Sequence, residues 1–353
     1  MQSTLHFQAD RIEMVLAAHK LPARVTGGHV TPRLVRFHLA TPLGVRLQHL
    51  QRLSEEIALS LGSSSCRIFR QNDQLHVEVP RPSPQPVLLL DLLERFAEDG
   101  LPAIPPHTAF LGLDHDGVPL LLRLPSPDVA HILIAGTTGS GKTALARSIV
   151  ASLAIMNPPP SLQLLLIDPK ARGLAPFANL PHLLLPVLAR TDQALDALSR
   201  LVVEMERRDT QGRCHPRIVV VLDELADLVL TGGKPMEMAL TRLTQRGREA
   251  GIHLVACAQK PTALVIGSLV KSNFPVRLVG AVPSPEDAKV ASGLPNTGAE
   301  RLLGQGDFLL IAKGQITRLQ AAYVDPAQIC SIVARLRGGL GKHSNLEGTS
   351  DGN

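Results

Sequence analysis

The segment from Gly136 to Thr143 carries the strongest chemical signal in this sequence. Its letters, GTTGSGKT, satisfy the pattern G-x-x-x-x-G-K-[S/T] at every fixed position. Glycines in such a segment let backbone N–H groups approach phosphate oxygens, and the helix that follows adds a positive N-terminus. Lys142 is expected to reach the β- and γ-phosphates of ATP, and Thr143 to ligate Mg²⁺. We therefore predict a nucleotide site, the phosphate loop, formed by Gly136, Thr137, Thr138, Gly139, Ser140, Gly141, Lys142 and Thr143.

The alternative interpretation of the phosphate loop is a glycine-rich turn without a ligand. An apolar strand pattern precedes the loop and a helical pattern follows it, which is the setting that the nucleotide motif requires. This context favours the nucleotide-binding interpretation.

A pair of carboxylates follows the apolar run 217–222. Asp223 and Glu224 would stand at the carboxyl end of a buried strand, where open α/β sheets bind their ligands. Asp223 is predicted to hold the Mg²⁺ shell through water, and Glu224 to orient and polarise the attacking water as general base. An acidic pair after a strand can also be a helix cap, but the phosphate loop upstream favours catalysis.

Two other strand ends carry polar side chains that could join this site. Asp168, followed by Pro169 and Lys170, could support the Mg²⁺ shell or form an ordinary polar turn. Gln259 follows the apolar run 252–258, where a side-chain amide could sense the γ-phosphate or the attacking water. A strand-end cap is the alternative for Gln259.

Basic residues downstream of the acidic pair have no obvious local partner. On a helix, Arg242 and Arg246 would share a face, and Arg246 could pair with Glu249. Solvated arginines are the ordinary interpretation, but in a ring ATPase one of them could reach the nucleotide of a neighbour. The remaining basic residues would be surface groups, or phosphate contacts if a duplex fills a ring: Lys260, Lys271, Arg277 and Lys289.

The elements that must position these residues alternate between strand and helix. Continuous apolar runs predict strands that are buried on both faces, at 131–135, 162–168, 217–223, 252–258, 276–282 and 307–312. Helical patterns lie near 143–156, 192–207, 235–249 and 286–292. This alternation predicts an α/β fold with a doubly wound, mostly parallel sheet.

The upstream sequence predicts a smaller α+β domain over 26–125. It follows a helix and linker over 1–25 and contains strand patterns near 35–39 and 75–79 with a helix over 47–61 between them. The nucleotide-binding α/β domain is expected over 126–337, and the polar, glycine-rich stretch 338–353 is expected to be a disordered tail.

Length and composition exclude several classes of protein. A chain of 353 residues suits two domains, and 44% hydrophobic with 19% charged residues excludes a disordered chain. A net charge of +5 permits a nucleic-acid partner, whereas 3% aromatic residues disfavour base stacking on single strands. The four cysteines are widely spaced and indicate neither zinc nor disulfides. Without a long apolar run or a signal pattern, the protein is expected to be cytoplasmic with no membrane segment.

These motifs together resemble the FtsK/SpoIIIE family of DNA translocases. The phosphate loop and the acidic pair lie in the family's order with six further segments, and 28–37 with 42–45 resembles the α+β domain that precedes the family's motor. The further segments are 167–170, 204–208, 251–254, 258–261, 271–277 and 298–307.

The resemblance implies a RecA-like P-loop ATPase domain that forms a homohexameric ring around double-stranded DNA and hydrolyses ATP between subunits. Arg248 matches the family's arginine finger, which acts on the neighbouring subunit, and Gln259 matches its polar residue after the strand. The family's pore-side basic positions match Lys260, Lys271 and Lys289. The family's membrane-spanning N-terminus and C-terminal winged-helix module are absent from this sequence, so a truncated form is expected, which an unknown protein partner could recruit.

Three other functions remain open from the sequence. A secretion- or conjugation-type ATPase of the same superfamily would move a protein or nucleoprotein. A non-motor scaffold would bind ATP without turnover, which Glu224 and Arg248 disfavour. A small-molecule kinase is the weakest alternative, because no lid or acceptor pocket is evident.

Overall fold

A computed structural model of the chain describes residues 2–42, 44–71, 73–98, 104–259 and 273–343. Backbone contacts divide the chain into two compact units. The first is Met1–Pro86 with His115–Gly117, and the second is Val87–Asp114 with Val118–Asn353. The division near residue 86 differs from the boundary near 125 that the sequence predicted, because most of 87–125 forms strands and a helix of the second unit.

The first unit has an antiparallel sheet of strand order β1-β2-β4-β3, with its apolar face covered by helices. The helix predicted over 47–61 is two short helices, because the chain leaves the helical conformation at Leu53 (φ −87°, ψ 4°). The elements are α1 (Gln2–Ala18), β1 (Arg24–Val30), β2 (Leu34–Ala40), α2 (Leu47–Arg52), α3 (Ser54–Ser60), β3 (Arg67–Gln71) and β4 (Gln74–Pro80).

The second unit is built on a mixed sheet of strand order β7-β6-β14-β13-β12-β8-β11-β10-β9. Neighbours from β12 to β9 run parallel, and neighbours from β7 to β12 run antiparallel. The strands are β5 (Val87–Leu88), which pairs with β14, then β6 (Thr108–Asp114), β7 (Pro119–Arg123), β8 (Ile132–Ala135), β9 (Leu162–Ile167), β10 (Arg217–Leu222), β11 (Ile252–Ala258), β12 (Val276–Val279), β13 (Asp307–Ala312) and β14 (Gln315–Tyr323).

Helices cover both faces of the parallel strands. Within β8, Ile132 and Ile134 pack into the core that contains α5, whereas Leu133 and Ala135 pack into the core that contains α6 and α7. Burial on both faces explains the continuous apolar runs and confirms the predicted α/β class. The helices are α4 (Leu89–Glu98), α5 (Lys142–Met156), α6 (Thr191–Gln211), α7 (Leu225–Arg246), α8 (Pro285–Ser292) and α9 (Pro326–His343).

The structure differs from the expectations for three of these elements. The run 307–312 is not parallel, because it returns through a two-residue turn at Lys313 and Gly314 to pair antiparallel with β14. The sequence missed the first part of helix α7, which begins at Leu225 and is interrupted by the non-helical Gly233 (φ 61°, ψ −154°) just before the helix predicted near 235–249. Helix α9 continues to His343, so the first residues of the predicted disordered tail are helical, and 344–353 lie outside the described residues.

Among the described residues, no helix is both long enough and apolar enough to span a bilayer.

Candidate active site

The phosphate loop connects the end of β8 to the start of α5. Its first N–H, from Gly136, bonds the carbonyl of Ala258 on β11 at 3.2 Å. Both the N–H and the hydroxyl of Thr137 donate to the carbonyl of Ala281, at 2.8 and 3.0 Å. Gly141, the residue before α5, has φ +102°, a backbone conformation that favours glycine. The loop is therefore anchored to the last residue of β11 and to the segment after β12, the two strands that pair with β8.

A third segment, residues 304–306, closes over the phosphate loop. The N–H of Gln305 donates to the carbonyl of Gly139 at 2.9 Å, and the N–H of Gly306 donates to that of Ser140 at 2.8 Å. A Cβ atom at Gly141 would lie 2.7 Å from the backbone nitrogen of Gly306. The two segments touch through their backbones, and this contact requires glycine.

The side chains at the start of α5 are those that a Mg²⁺-nucleotide needs. The Lys142 ammonium donates to the carbonyl of Thr137 at 2.9 Å, and its burial lowers its pKa. The hydroxyl of Thr143 donates to Asp223 Oδ1 at 3.0 Å. These groups fit Mg²⁺-ATP: the loop N–H groups and Lys142 would hold the phosphates, and Thr143 with Asp223 would hold the metal shell.

Asp223 is crowded at the end of β10. Burial first of all, then the nearby Asp168 and Glu224 carboxylates, raises the pKa of Asp223 to about 6. A Cβ atom at Gly173 would stand 2.3 Å from Asp223 Oδ2. The buried thiol of Cys257 also faces this carboxylate, and burial raises its pKa well above the ordinary value. A bound cation would favour the ionised form of Asp223.

Glu224 is buried at the residue before α7 and has two described partners. Its Oε2 lies 3.1 Å from the ammonium group of Lys170, and its Oε1 lies 3.4 Å from the backbone nitrogen of Gln259. The structure thus brings Gln259 beside the predicted general base. It also adds Lys170, which sequence reasoning did not assign to the site.

Asp168 organises a loop rather than presenting free oxygens. It accepts hydrogen bonds from the backbone N–H of Lys170 at 3.1 Å and of Leu174 at 2.9 Å. Arg147 on α5 donates to the carbonyl of Gly173 at 2.5 Å and braces the same loop. These contacts favour the interpretation of Asp168 as part of a polar turn. The loop that Asp168 organises lies against the Asp223 carboxylate at Gly173.

The three arginines near the end of α7 differ in their partners. Arg246 pairs with Asp209 at 2.7 Å, so its predicted pairing with Glu249 was wrong, and Arg242 also pairs with an acidic residue of α6. Arg248 pairs with the exposed Glu249 beside it, at 3.3 Å. The Arg248 side chain is itself 36% exposed, so its guanidinium is accessible from outside the chain.

Arg248 lies at the opposite edge of the sheet from the phosphate loop of the same chain. It precedes β11, which begins at Ile252 and ends at Ala258, beside the first residue of the phosphate loop. Seven residues of strand span roughly 20 Å. Within one chain, the predicted finger and the nucleotide site are thus kept apart.

Of the basic residues predicted to contact DNA, Lys289 is exposed on α8, a helix capped by the Ser284 hydroxyl. Lys260 and Lys271 lie outside the described residues.

Sequence reasoning missed two residues of the site, Lys170 and Gly173. Lys170 could have been found, because it stands two positions after Asp168, which the sequence analysis had singled out. The contact of Gly173 with Asp223 had no sequence signal.

A phosphate loop after β8, an acidic pair after β10 and one strand between them define a P-loop ATPase domain. The FtsK/SpoIIIE family matches at residues 104–211 and 209–263, and the FtsK alpha domain matches at 1–81. The chain belongs to the FtsK/SpoIIIE family.

DNA translocase FtsK of Staphylococcus epidermidis is 33% identical over 353 aligned residues, which cover 91% of this chain and 43% of the relative. The chain thus spans less than half the length of that relative.

Solved structures share the fold. The conjugation coupling protein TcpA of pCW3 matches with a TM-score of 0.63 and 20% identity, over 94% of this chain and 99% of TcpA. The cytoplasmic domain of the type VII secretion ATPase EccC from Thermomonospora curvata matches with a TM-score of 0.59 and 23% identity, over 71% of this chain and 34% of EccC.

Proposed function

We propose that this chain is the motor of an ATP-driven translocase of double-stranded DNA, assembled as a hexameric ring. Lys142 and the loop N–H groups bind the phosphates, and Thr143 and Asp223 hold the shell of a Mg²⁺ ion, which would neutralise phosphate charge. Glu224 accepts a proton from the attacking water, with Gln259 beside it. The name of the FtsK relatives supports DNA as the substrate.

The observation that carries the ring proposal is the position of Arg248. Because β11 separates this arginine from the phosphate loop of its own chain, its position supports a role at the site of a neighbour and not at its own. A positive charge brought to the γ-phosphate stabilises the charge of the transition state. This arrangement supports hydrolysis between subunits.

The first test measures steady-state ATP hydrolysis with and without long duplex DNA at low salt. We expect a large stimulation by duplex DNA that salt weakens, because the contacts are mainly to phosphates, and no turnover by Glu224→Gln. ATP hydrolysis that does not change with DNA but increases when a protein is added would instead favour a secretion-type cargo.

The second test uses mixed subunits. Arg248→Ala chains keep a complete nucleotide site, and Glu224→Gln chains keep an intact finger. If Arg248 acts on the neighbour, mixing the two inactive proteins regains activity. Failure of the mixture, with both proteins folded and assembled, would contradict action between subunits.

A further inference from the structure

The segment 204–208 was singled out in the sequence, yet none of its residues touches the nucleotide site. Its last residue, Arg208, is buried near the end of α6, with 4% of its surface exposed. Arg208 Nε donates to Glu204 Oε1 at 2.7 Å on the same helix. A buried guanidinium is costly unless its N–H groups are all used, so its other contacts indicate its role.

Those contacts reach the turn that carries Arg248. One terminal nitrogen of Arg208 donates to the carbonyl of Ala250 at 3.0 Å and to that of Pro216 at 2.8 Å. Ala250 is two residues beyond Arg248 in the chain. The guanidinium therefore joins α6 to the start of β10 and to the turn 247–251.

Two backbone hydrogen bonds close the turn 247–251, and neither of them uses the carbonyl of Ala250. The Gly251 N–H donates to the carbonyl of Arg248 at 3.1 Å, and the Ile252 N–H donates to that of Gly247 at 2.7 Å. A Cβ atom at Gly251 would stand 2.1 Å from the carbonyl oxygen of Cys214, so the turn is packed against the segment after α6. Ala250 is the residue of this turn that the buried guanidinium holds.

The surface beside the turn is concave and rich in arginine. An open cavity of about 530 Å³ is lined by four arginines, Arg208, Arg213, Arg246 and Arg248, and by the acidic residues Asp209 and Glu249. Arg246 is held at 2.7 Å by Asp209, which is 23% exposed, whereas Arg248 pairs at 3.3 Å with Glu249, which is 79% exposed. Because an ion pair with an exposed partner is weak, Arg213 and Arg248 are the cations best placed to meet the phosphates of a neighbouring subunit.

We propose that Arg208 is a positioning residue, which fixes the backbone of the turn so that Arg248 presents its guanidinium to the nucleotide of the neighbouring subunit. This inference rests on the proposed function, in which Arg248 acts between subunits. Arg208 does not itself touch the nucleotide. Catalysis by a finger depends on its placement, because a small displacement from the developing charge loses most of the benefit.

The test compares Arg208→Met and the milder Arg208→Lys with Arg207→Met. Arg207 is the matched control, because it is exposed and pairs with the same Glu204. We expect the Arg208 variants to lose about tenfold or more in DNA-stimulated kcat while their KM for ATP changes about twofold at most. The control should retain the parent values.

Mixing then separates positioning from general damage. An Arg208 variant keeps its own nucleotide site, so mixing it with Glu224→Gln should regain activity, as the Arg248→Ala mixture does. Either of two outcomes would contradict the positioning role of Arg208. The Arg208 variants could stay folded and fully active, or they could lose activity that mixing with Glu224→Gln does not regain. If the mixture of Arg248→Ala with Glu224→Gln does not regain activity, the result contradicts the proposed function itself, in which Arg248 acts between subunits. If Arg208→Met does not fold, the test of the positioning role rests on Arg208→Lys alone.

Discussion

The ammonium group of Lys170 lies 3.1 Å from the carboxylate of Glu224, and this ion pair joins the loop after β9 to the start of α7. Lys170 is half exposed, whereas the Glu224 side chain is 9% exposed. Solvent screens one partner only, so the pair is worth more than a surface ion pair and less than a fully buried one. It holds the predicted general base in a fixed orientation before nucleotide binds.

This pair is expected to appear in a double-mutant cycle. Urea unfolding without nucleotide, on Lys170→Met, Glu224→Gln and the double variant, should give a coupling free energy of about 1 kcal/mol. The exposed Arg200–Asp196 pair on α6 is the control and should give a smaller coupling. Strictly additive effects for Lys170 and Glu224 would show that the contact contributes no stability.

Asp223→Asn should stabilise the nucleotide-free protein while it abolishes Mg²⁺-dependent hydrolysis. The pKa of Asp223 is about 6 in the fold against an ordinary 3.8, so the folded state holds the proton more tightly than the unfolded state. Ionisation of this carboxyl therefore costs the fold about 3 kcal/mol above pH 6 and nothing below about pH 4.

Unfolding free energies of the parent and of Asp223→Asn, measured from pH 4 to pH 7, test this cost. The advantage of Asp223→Asn should be largest at pH 7 and should shrink toward zero as the pH falls to about 4. An advantage that stays constant with pH would assign the effect to packing instead.

Gly173→Ala should weaken the metal site without preventing nucleotide binding. The new methyl group would meet Asp223 Oδ2 and push it from the Thr143 hydroxyl. We expect the Mg²⁺ concentration for half-maximal hydrolysis to rise about tenfold, whereas ATP binding measured without Mg²⁺ stays the same. Gly338→Ala is the control, because nothing lies within 4 Å of its added Cβ atom. An unchanged Mg²⁺ requirement would contradict the contact.

Asp307→Asn should destabilise the protein and weaken nucleotide binding together. Asp307 accepts two hydrogen bonds from the Arg318 guanidinium, at 2.8 and 2.7 Å, and one from the Leu303 N–H at 2.9 Å. Because Asp307 directly follows the segment that closes over the phosphate loop, a loss of about 3 kcal/mol in stability should come with a raised Kd for nucleotide.

The control for Asp307 is Asp192→Asn, which removes the same bidentate geometry from an exposed pair with Arg190. It should change neither quantity measurably. Equal effects at the two positions in chemical denaturation would mean that burial does not set the strength of the Asp307 pair.

Lys289→Gln should reduce the salt dependence of DNA binding. If the exposed Lys289 contacts one phosphate, its loss weakens binding at low salt for all sequences and lowers the slope of log K against log[salt] by about 1. Lys313→Gln is the comparison, since that lysine already pairs with Asp128 at 2.7 Å. Identical salt slopes for Lys289→Gln and the parent would show that Lys289 does not contact a DNA phosphate.

The sequence predicted those parts of the fold that local patterns determine. Continuous apolar runs identified β8 to β11, and the glycine–lysine spacing identified the phosphate loop. Strand β14 was missed because its side chains are only partly buried, and the start of α7 was missed because Gly232, Gly233 and Pro235 look like a loop. The contacts of Lys170 and Gly173 join residues about fifty positions apart, which only the folded chain brings together.

The separation of Arg248 from its own phosphate loop sets a counting rule for any assembly of this chain. If each finger serves the next subunit, an open row always has one site without a finger and one finger without a site. A closed ring has neither. A lone subunit completes no site, so turnover per subunit would rise with assembly and reach its full value only at closure. ATP would then be hydrolysed chiefly by closed rings.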